Sequence, residues 1–485
     1  MPYVNVPNDL SKIKTKIAFN LTKRQLVCFG GAALVGVPSY LLARGALGNT
    51  AALFLMLGIM LPAFLLAMYE KDGLPLEKVV KNIIRAKYLR PGVRPYKTGN
   101  IYAPFTGQAG KEAVKDRKSR RGNRAALSAQ QSIPYVAMHP DGVCQLPGGL
   151  YTKTVEYEDI NYSVASTEDQ SAIFSGWSAF LNYFDSALPV QLSFINRRSH
   201  STSRYEVNIP AQQDDFDSIR GEFVGMLKRQ IARSNNGIER SKYITFGVPA
   251  GGIAEARPRL ERVEADVMGN LHRLGVPSSS LDGRERLALL HGQMHPGRRE
   301  PFRFSWADIS KTGMGTKDFI TPNGGFDFRG SRFFRVGGFW GAASYLQILA
   351  SELSDRLLRE ILELDAELTV TMHIQTVDQL KAIKTIKGKI SDIDKMKVEE
   401  QKKAVRAGYD MDILPPDLIT FSKDAAELLG DLQSRNERMF LLTFTVINLA
   451  PTRQRLENDV FTVSGIAQKY NCALKRLDWQ QEQGF

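Results

Sequence analysis

The residues best equipped for chemistry in this 485-residue chain are few and scattered. His291 and His295 stand four apart in "HGQMH", a spacing that places two imidazoles on one helical face and suits a zinc ion. A hydrolytic zinc site also needs a carboxylate base beside the first histidine. Gly292 occupies that place and Pro296 ends any helix, so the pair reads as two exposed histidines on a loop. His139, His200, His272 and His373 are isolated, and His373 falls on an alternating strand as a core or edge residue. Ser278, Ser279 and Ser280 read as a flexible turn rather than a nucleophile elbow. Cys28, Cys144 and Cys472 are far apart and build neither a disulfide framework nor a C-x-x-C metal pattern, which fits a reducing compartment.

Phosphate chemistry fares no better. The pattern G-x-x-x-x-G-K-[ST] does not occur. "TIKGKIS" supplies Gly388, Lys389 and Ser391 but lacks the upstream glycine. It also falls in a charged helical stretch, where backbone N–H groups are already bonded. The glycines of "GGFDFRGSRFFRVGGFWG" (324–341) read as turns between short strands. The expectation is no catalytic residue, no cofactor-binding residue and no metal ligand.

The elements around these residues start in a membrane. No charge occurs in the 19 residues from Gln25 to Ala43, nor, after Arg44, in the 25 from Gly45 to Tyr69. At about 1.5 Å per residue each run crosses a hydrocarbon core of about 30 Å. The spacer around Arg44 is long enough only for a tight reversal. The reading is a transmembrane helical hairpin, with Leu26 and Leu42 bounding the first span and Leu47 and Met68 the second. Ala32 and Gly36 form a small-xxx-small pair suited to close helix approach. Lys12, Lys14, Lys16, Lys23 and Arg24 precede the hairpin; Lys71, Lys78, Lys81, Arg85, Lys87 and Arg90 follow it. The excess of positive charge on both flanks predicts that both termini are cytoplasmic. Two long spans and no small-residue cleavage pattern argue against a removable signal peptide.

The charge balance supports this division. The chain has 64 Lys/Arg against 51 Asp/Glu, a net charge of +13. Residues 1–131 hold 21 of the basic and 6 of the acidic residues, so the remainder is near neutral. The excess therefore sits beside the spans, where anionic headgroups would meet it, and a basic nucleic-acid groove in the large domain is disfavoured. Asp9 or Ser11 could cap a short interfacial helix carrying Ile13, Ile17 and Leu21. The pattern Leu76, Val79, Val80, Ile83, Ile84 predicts an amphipathic helix leaving the membrane. Pro91, Pro95 and Pro104 then break regular structure. The stretch Lys111–Arg124 reads as a solvated basic linker whose Arg117, Lys118, Arg120, Arg121 and Arg124 face lipid.

From Ile133 the chain reads as one α+β domain. Strand alternation marks 190–195, 242–248, 367–374 and 440–447. Helical stripes run through Phe216, Ile219, Phe223, Leu227 and Ile231, and through Leu260, Val263, Val267, Leu271 and Leu274. Leu380, Ile383, Ile386, Ile390, Ile393 and Met396 mark a charged helical hairpin projecting from the sheet, an insertion at about 377–412. The expected architecture is a transmembrane helical hairpin followed by a cytoplasmic mixed α/β domain. Its divisions are 1–97 for the hairpin domain, 98–131 for the linker and 132–485 for the large domain.

The residues resemble known families. "MPYVNVPNDLSKIKTKIAFNLTKRQL" through the spans to "YLRPGVRPYKT" resembles the PrgI-type two-span inner-membrane subunit of Gram-positive conjugative elements. From Ser132, "SIPYVAMHPDGVCQLPGGLYTKTVEYEDINY", "NYFDSALPVQLSFIN", "RNERMFLLTFTVINLAPTRQRLENDV" and "RLDWQQEQGF" resemble the N-terminal domain of the conjugative-transfer ATPase of the CagE/TrbE/VirB family. The two are usually separate chains; here they read as fused. That family's ATPase lobe, which would hold ATP and Mg²⁺, is not found in these residues, so no nucleotide-binding residue carries over. The resemblance implies an inner-membrane platform of a type IV secretion system that docks and oligomerises the secretion ATPase for DNA or protein transfer. The implied partners are the inner membrane, other secretion subunits and further copies of the chain, without sequence-specific nucleic-acid binding. The alternative is a membrane-tethered enzyme or nucleic-acid-binding protein with an unfamiliar site.

Overall fold

The computed structural model describes residues 4–5, 16–18, 21–97, 127–160, 162, 165–198, 209–210, 212, 214–234, 238–297, 302–312, 314–350, 352–354, 356–408, 414–434 and 437–485. The chain divides into two compact units. One comprises Met1–Val4, Pro91–Asp378 and Arg438–Phe485; the other comprises Asn5–Arg90 and Gln379–Glu437.

The first unit is built on an antiparallel sheet of thirteen strands among the described residues. These are β1 (Val93–Arg94), β2 (Ala137–Met138), β3 (Cys144–Leu146), β4 (Leu150–Tyr157), β5 (Val190–Arg198), β6 (Ile238–Pro249) and β7 (Ser278–Ser280), then β8 (Phe326–Asp327), β9 (Phe334–Val336), β10 (Phe339–Ile348), β11 (Glu367–Thr376), β12 (Phe440–Ala450) and β13 (Cys472–Arg476). Their order is β1-β8-β9-β10-β12-β11-β5-β6-β4-β3-β2, with β7 pairing β4 and β13 pairing β10. The four strands expected from alternation are β5, β6, β11 and β12, side by side at the centre. The triple serine is a paired strand rather than a turn: Ser278 lies opposite Tyr157 and Ser280 opposite Val155.

Period-two alternation gives each face its own core. One face carries Leu192, Phe194, Ile244, Phe246, Val370 and Val446 against Ala256, Leu260, Val263, Val267 and Leu271 of the helix Ile253–Arg273. The other joins Ala343 and Leu449 to Leu287, Met294, Phe304, Ile320 and an aromatic group from β8 and β9. Thr154, Thr245, Ser193 and Thr371 alternate with the first core's residues, and Thr154 and Thr245 hydroxyls hydrogen-bond at 2.9 Å. His373 is exposed in the central strand β11, opposite Gln191 and Thr443, so it is neither core nor edge.

The helical insertion joins the adjacent strands β11 and β12, and Val377 N–H donates to Met439 O at 2.8 Å to close its neck. It consists of Gln379–Arg406 and Pro416–Ser434 and so runs past the expected end near 412. Ile393 and Ala425 are buried between the two helices, with Ile390, Met396 and Phe421 around them. Gln379 Nε2 donates to Leu432 O at 2.8 Å.

Candidate membrane anchor and its link to the sheet

Thr22 starts the first span as a capping box. Its hydroxyl accepts from Gln25 N–H at 3.4 Å, and its own N–H donates to Gln25 Oε1 at 3.0 Å. The residues just before it do not form the expected interfacial helix. Lys16–Ala18 pairs antiparallel with Leu21–Thr22, whereas Asp9, Ser11 and Ile13 lie outside the described residues.

Two helices are long and apolar enough to cross a membrane, Arg24–Ala46 and Gly48–Met68. The reversal between them turns on Gly48, whose φ of +78° lies in the left-handed region that a side chain strains. The spans meet through small residues. Ala32, Ala52 and Ala67 are buried, and a Cβ on Gly36 would lie 2.6 Å from Met60 Cγ. Phe29 and Phe64 rings meet across the seam, tilted, with centroids 4.8 Å apart. Ser39 satisfies its hydroxyl by donating to Val35 O at 2.7 Å. Most of the large apolar side chains point outward. Only 11% of the most apolar window of each span is buried, unlike the core helix of a soluble protein. Leu26 and Met68 are exposed at the base and Leu42, at 83%, near the reversal. Leu47 falls beside Gly48, and its side chain lies outside the described residues.

After the second span the chain turns through Asp72 (φ 51°) and Gly73 (φ 79°) between the short strands Glu70–Lys71 and Leu74–Pro75. The expected amphipathic helix follows as Leu76–Ile84, extended by a π-helical turn over Arg85–Leu89. None of its residues is buried, although Val79 and Ile83 are half-covered and Val80 and Ile84 lie open on the apolar side. Arg24 ties the start of the first span to this helix through Glu77 at 2.8 Å and also donates to Leu66 O.

Residues 5–96 match the PrgI family, described as PrgI family protein. No match to a curated protein was found. The PrgI domain thus carries both apolar helices, and its last six residues reach into the sheet.

That reach was missed in the sequence, where Pro91 and Pro95 read as breaking all regular structure. Between them Val93–Arg94 forms the edge strand β1, with Arg94 opposite Phe326 and Val93 opposite Asp327. Phe328 N–H donates to Gly92 O at 2.7 Å. Proline is at home on an edge strand, which leaves one row of N–H positions unpaired. Arg94 is 1% exposed. Its guanidinium meets Glu482 at 2.7 Å, donates from Nε to Pro91 O at 3.3 Å and lies over the Phe328 ring at 5.1 Å. Gly325 (φ +63°) makes room, since a Cβ there would lie 2.1 Å from Arg94 O. Phe485 completes the site by packing on Phe334 at 4.8 Å and on Phe326 and Phe328. Gln481 fixes this segment by accepting from Ala343 N–H at 2.8 Å and donating to Ala343 O at 3.0 Å. No local sequence signal marks this pair, because Glu482 stands among Gln480, Gln481 and Gln483.

Arg117, Lys118, Arg120, Arg121 and Arg124 lie outside the described residues. The residues on either side of the stretch are held together. Gln130 Nε2 donates to Lys97 O at 2.7 Å, and Ala129 N–H to Pro95 O at 3.0 Å. The PrgI match thus ends within the sheet, at β1 and the residues just after it.

The histidine pair is not a loop. His291 lies in the helix Gly283–Met294 and is buried, and His295 is its C-cap. The rings stack at 3.8 Å, and Phe302 packs on His291 at 5.1 Å. Burial first, then His295 and Arg197, push the His291 pKa down to about 4. The sequence could not show that Phe302 returns over the helix end. Among the described residues no three His, Cys, Asp or Glu side chains gather as a metal ion would require. In the glycine-rich stretch, Gly324 and Gly337 meet backbone to backbone in turns between strands, as expected, whereas Gly341 lies within β10 against the Phe334 ring.

Proposed function

We propose that this chain is a platform component of a conjugative type IV secretion system, anchored in the cytoplasmic membrane by its hairpin with both termini inside. The PrgI match over a hairpin whose apolar surface faces outward carries the reading. On this reading the large unit is equivalent to the N-terminal domain of a conjugative-transfer ATPase. It docks and oligomerises the secretion motor through protein contacts, and the basic stretch at 111–124 faces anionic lipid. The chain itself turns over no nucleotide. Gly388 and Lys389 lie mid-way along the helix Gln379–Arg406, where amide N–H groups are committed to carbonyls four residues back.

The test is purification of the tagged chain from membranes of a host carrying the conjugative element. Secretion subunits, the motor ATPase among them, should co-purify. A Phe54→Arg variant, which places a charge within a span at a cost of about 2.5–3.5 kcal/mol, should leave the membrane fraction and reduce transfer. Unchanged transfer with no secretion subunit recovered would sink the proposal. Mg²⁺-dependent ATP turnover that disappears in Lys389→Ala would instead make the chain an enzyme.

A further inference from the structure

The helix Leu76–Ile84 and its π turn keep an apolar line open along one side. Val80, Ile84, Tyr88 and Leu89 are 41%, 43%, 58% and 70% exposed. The π turn shapes this line. It holds one residue more than an α turn, closed by Arg90 N–H on Arg85 O at 3.1 Å, and so sets later side chains back by about 100°. In an unbroken α-helix Leu89 would stand beside Lys78, and Lys87 between Leu76 and Val80. The wider turn brings Leu89 toward Ile84 and takes Lys87 off the line. Lys81 borders the line, with Arg85 and Lys78 beyond it on the same side. Glu77, the one acid of the helix, lies nearest the line at the first turn, and Arg24 meets its carboxylate at 2.8 Å. From Glu70 to Arg90 the balance stays positive, with Glu70, Asp72 and Glu77 against twice as many Lys and Arg.

We propose that this helix is interfacial, lying in the headgroup layer of an anionic bilayer at the base of the hairpin. Val80, Ile84 and Tyr88 then sit at the acyl boundary, and Lys81 and Arg85 among the phosphates. Lipid is favoured over a protein partner on three grounds. The net charge has the sign that anionic headgroups attract, and long Lys and Arg stems reach them around an apolar border. The depth is right, because the Arg24–Glu77 pair holds the first turn where the first span begins. A 23-residue span of about 35 Å brings that point just outside a core of about 30 Å. The surface is continuous with the anchor, since only Tyr69–Pro75 separates the helix from the second span. The helix runs along the membrane instead of leaving it, a reading that rests on the anchorage proposed above.

The experiment uses the full chain reconstituted in vesicles of phosphatidylcholine and phosphatidylglycerol. Nitroxide labels are placed singly at Lys78→Cys, Val80→Cys, Ile84→Cys and Phe54→Cys, with Cys28, Cys144 and Cys472 replaced by Ala. Labels at 80 and 84 should be accessible to oxygen and shielded from an aqueous nickel chelate, at a shallower depth than the label at 54. The label at 78 should be open to nickel. Labels at 80 and 84 as open to nickel as that at 78 would overturn the proposal. Shielding from both reagents would also overturn it, since protein would then cover the line. The contrast should weaken in purely zwitterionic vesicles, and an equal contrast there would overturn the part assigned to headgroup charge. The label at 54 reads the anchor separately. A lipid-exposed 54 with a water-exposed 84 defeats this inference alone, whereas a 54 open to nickel defeats the anchorage. A second readout keeps the native cysteines. Ile84→Trp should be quenched by brominated lipid beyond the quenching of the four native tryptophans, and no excess quenching would overturn insertion of the line.

Discussion

The second membrane span, Gly48–Met68, and the helix Ile253–Arg273 are both 21 residues long, and they treat apolar side chains in opposite ways. In the span, Phe54 and Leu61 point outward while Ala52 and Ala67 are buried. In the sheet-packed helix, Leu260, Val267 and Leu271 are inaccessible, and the outer side carries Glu261, Arg262 and Arg273. Size sorts the residues in the first case and polarity in the second. The span has no water to avoid inside a bilayer, so its helices gain by bringing backbones close. The sheet-packed helix gains by removing large side chains from water. Charge follows the same division. The hairpin interior has none between Arg24 and Glu70 except Arg44 near the reversal, whereas the sheet unit buries Arg286 by giving it Gly142 O, Thr152 O and Thr152 Oγ1 at 2.6–3.1 Å.

The comparison can be broken most sharply at its premise, the bilayer. Single cysteines at Asn49 and Lys97 in a Cys-free background should differ in an all-or-none way. An impermeant thiol reagent on whole cells should label 49 and leave 97 untouched, and labelling at 97 would reverse the orientation. The largest energetic effect is expected at Arg94. Arg94→Met removes a buried guanidinium that meets Glu482, Pro91 O and the Phe328 ring, and should lower the stability of the sheet unit by about 3–5 kcal/mol. Adding Glu482→Gln should recover part of it. Denaturant unfolding of the solubilised chain measures both, and a loss below ~1 kcal/mol would mean that the pair is only a surface contact.

Matched truncations probe the two helices directly. Leu260→Ala should cost about 2–5 kcal/mol through a cavity. Leu42→Ala, at a site with no cavity to leave, should stay within about 0.5 kcal/mol in the same measurement. Equal losses would erase the distinction between the two environments. A smaller and pH-dependent effect comes from His291. Below its unfolded pKa of about 6.5 the unfolded chain binds a proton that the folded ring, with its pKa pushed down to about 4, refuses. Stability from this group is therefore complete above pH ~6.5 and declines toward pH ~4, by up to about 3 kcal/mol. His291→Gln should flatten that slope, and an unaltered slope would place the titration elsewhere.

Much of the fold was legible because its signals are local. Uncharged runs mark the spans without any tertiary information. The central strands β5, β6, β11 and β12 show alternation because one face of the sheet carries Thr, Ser and Gln. The failures share a cause. Ile13, Ile17 and Leu21 have helical spacing, yet Leu21 pairs with Ala18 in a short hairpin. β1 is two residues long and exists because Phe326, Phe328 and Glu482 receive it, partners more than 200 positions away. His291 looked solvent-exposed because nothing near it in sequence says that Phe302 covers it. The second insertion helix lies past the expected end near 412, although Leu418, Phe421, Ala425 and Leu432 follow one another at steps of three, four and seven.

The hydrogen bonds that hold Lys97 beside Gln130 have a consequence for what can be altered. A segment that leaves and re-enters a fold at one point adds closure entropy that grows only with the logarithm of its length, about 0.6 kcal/mol per doubling. Residues 98–126 can therefore be shortened, lengthened or given a different composition while Arg94, Glu482 and the sheet keep their places. The junction at Pro91–Arg94 has no such freedom, because adding or removing one residue there would turn Arg94 to the opposite side of its strand. Changes of length should therefore be tolerated in the former segment and not in the latter, although the two are separated by fewer than five residues.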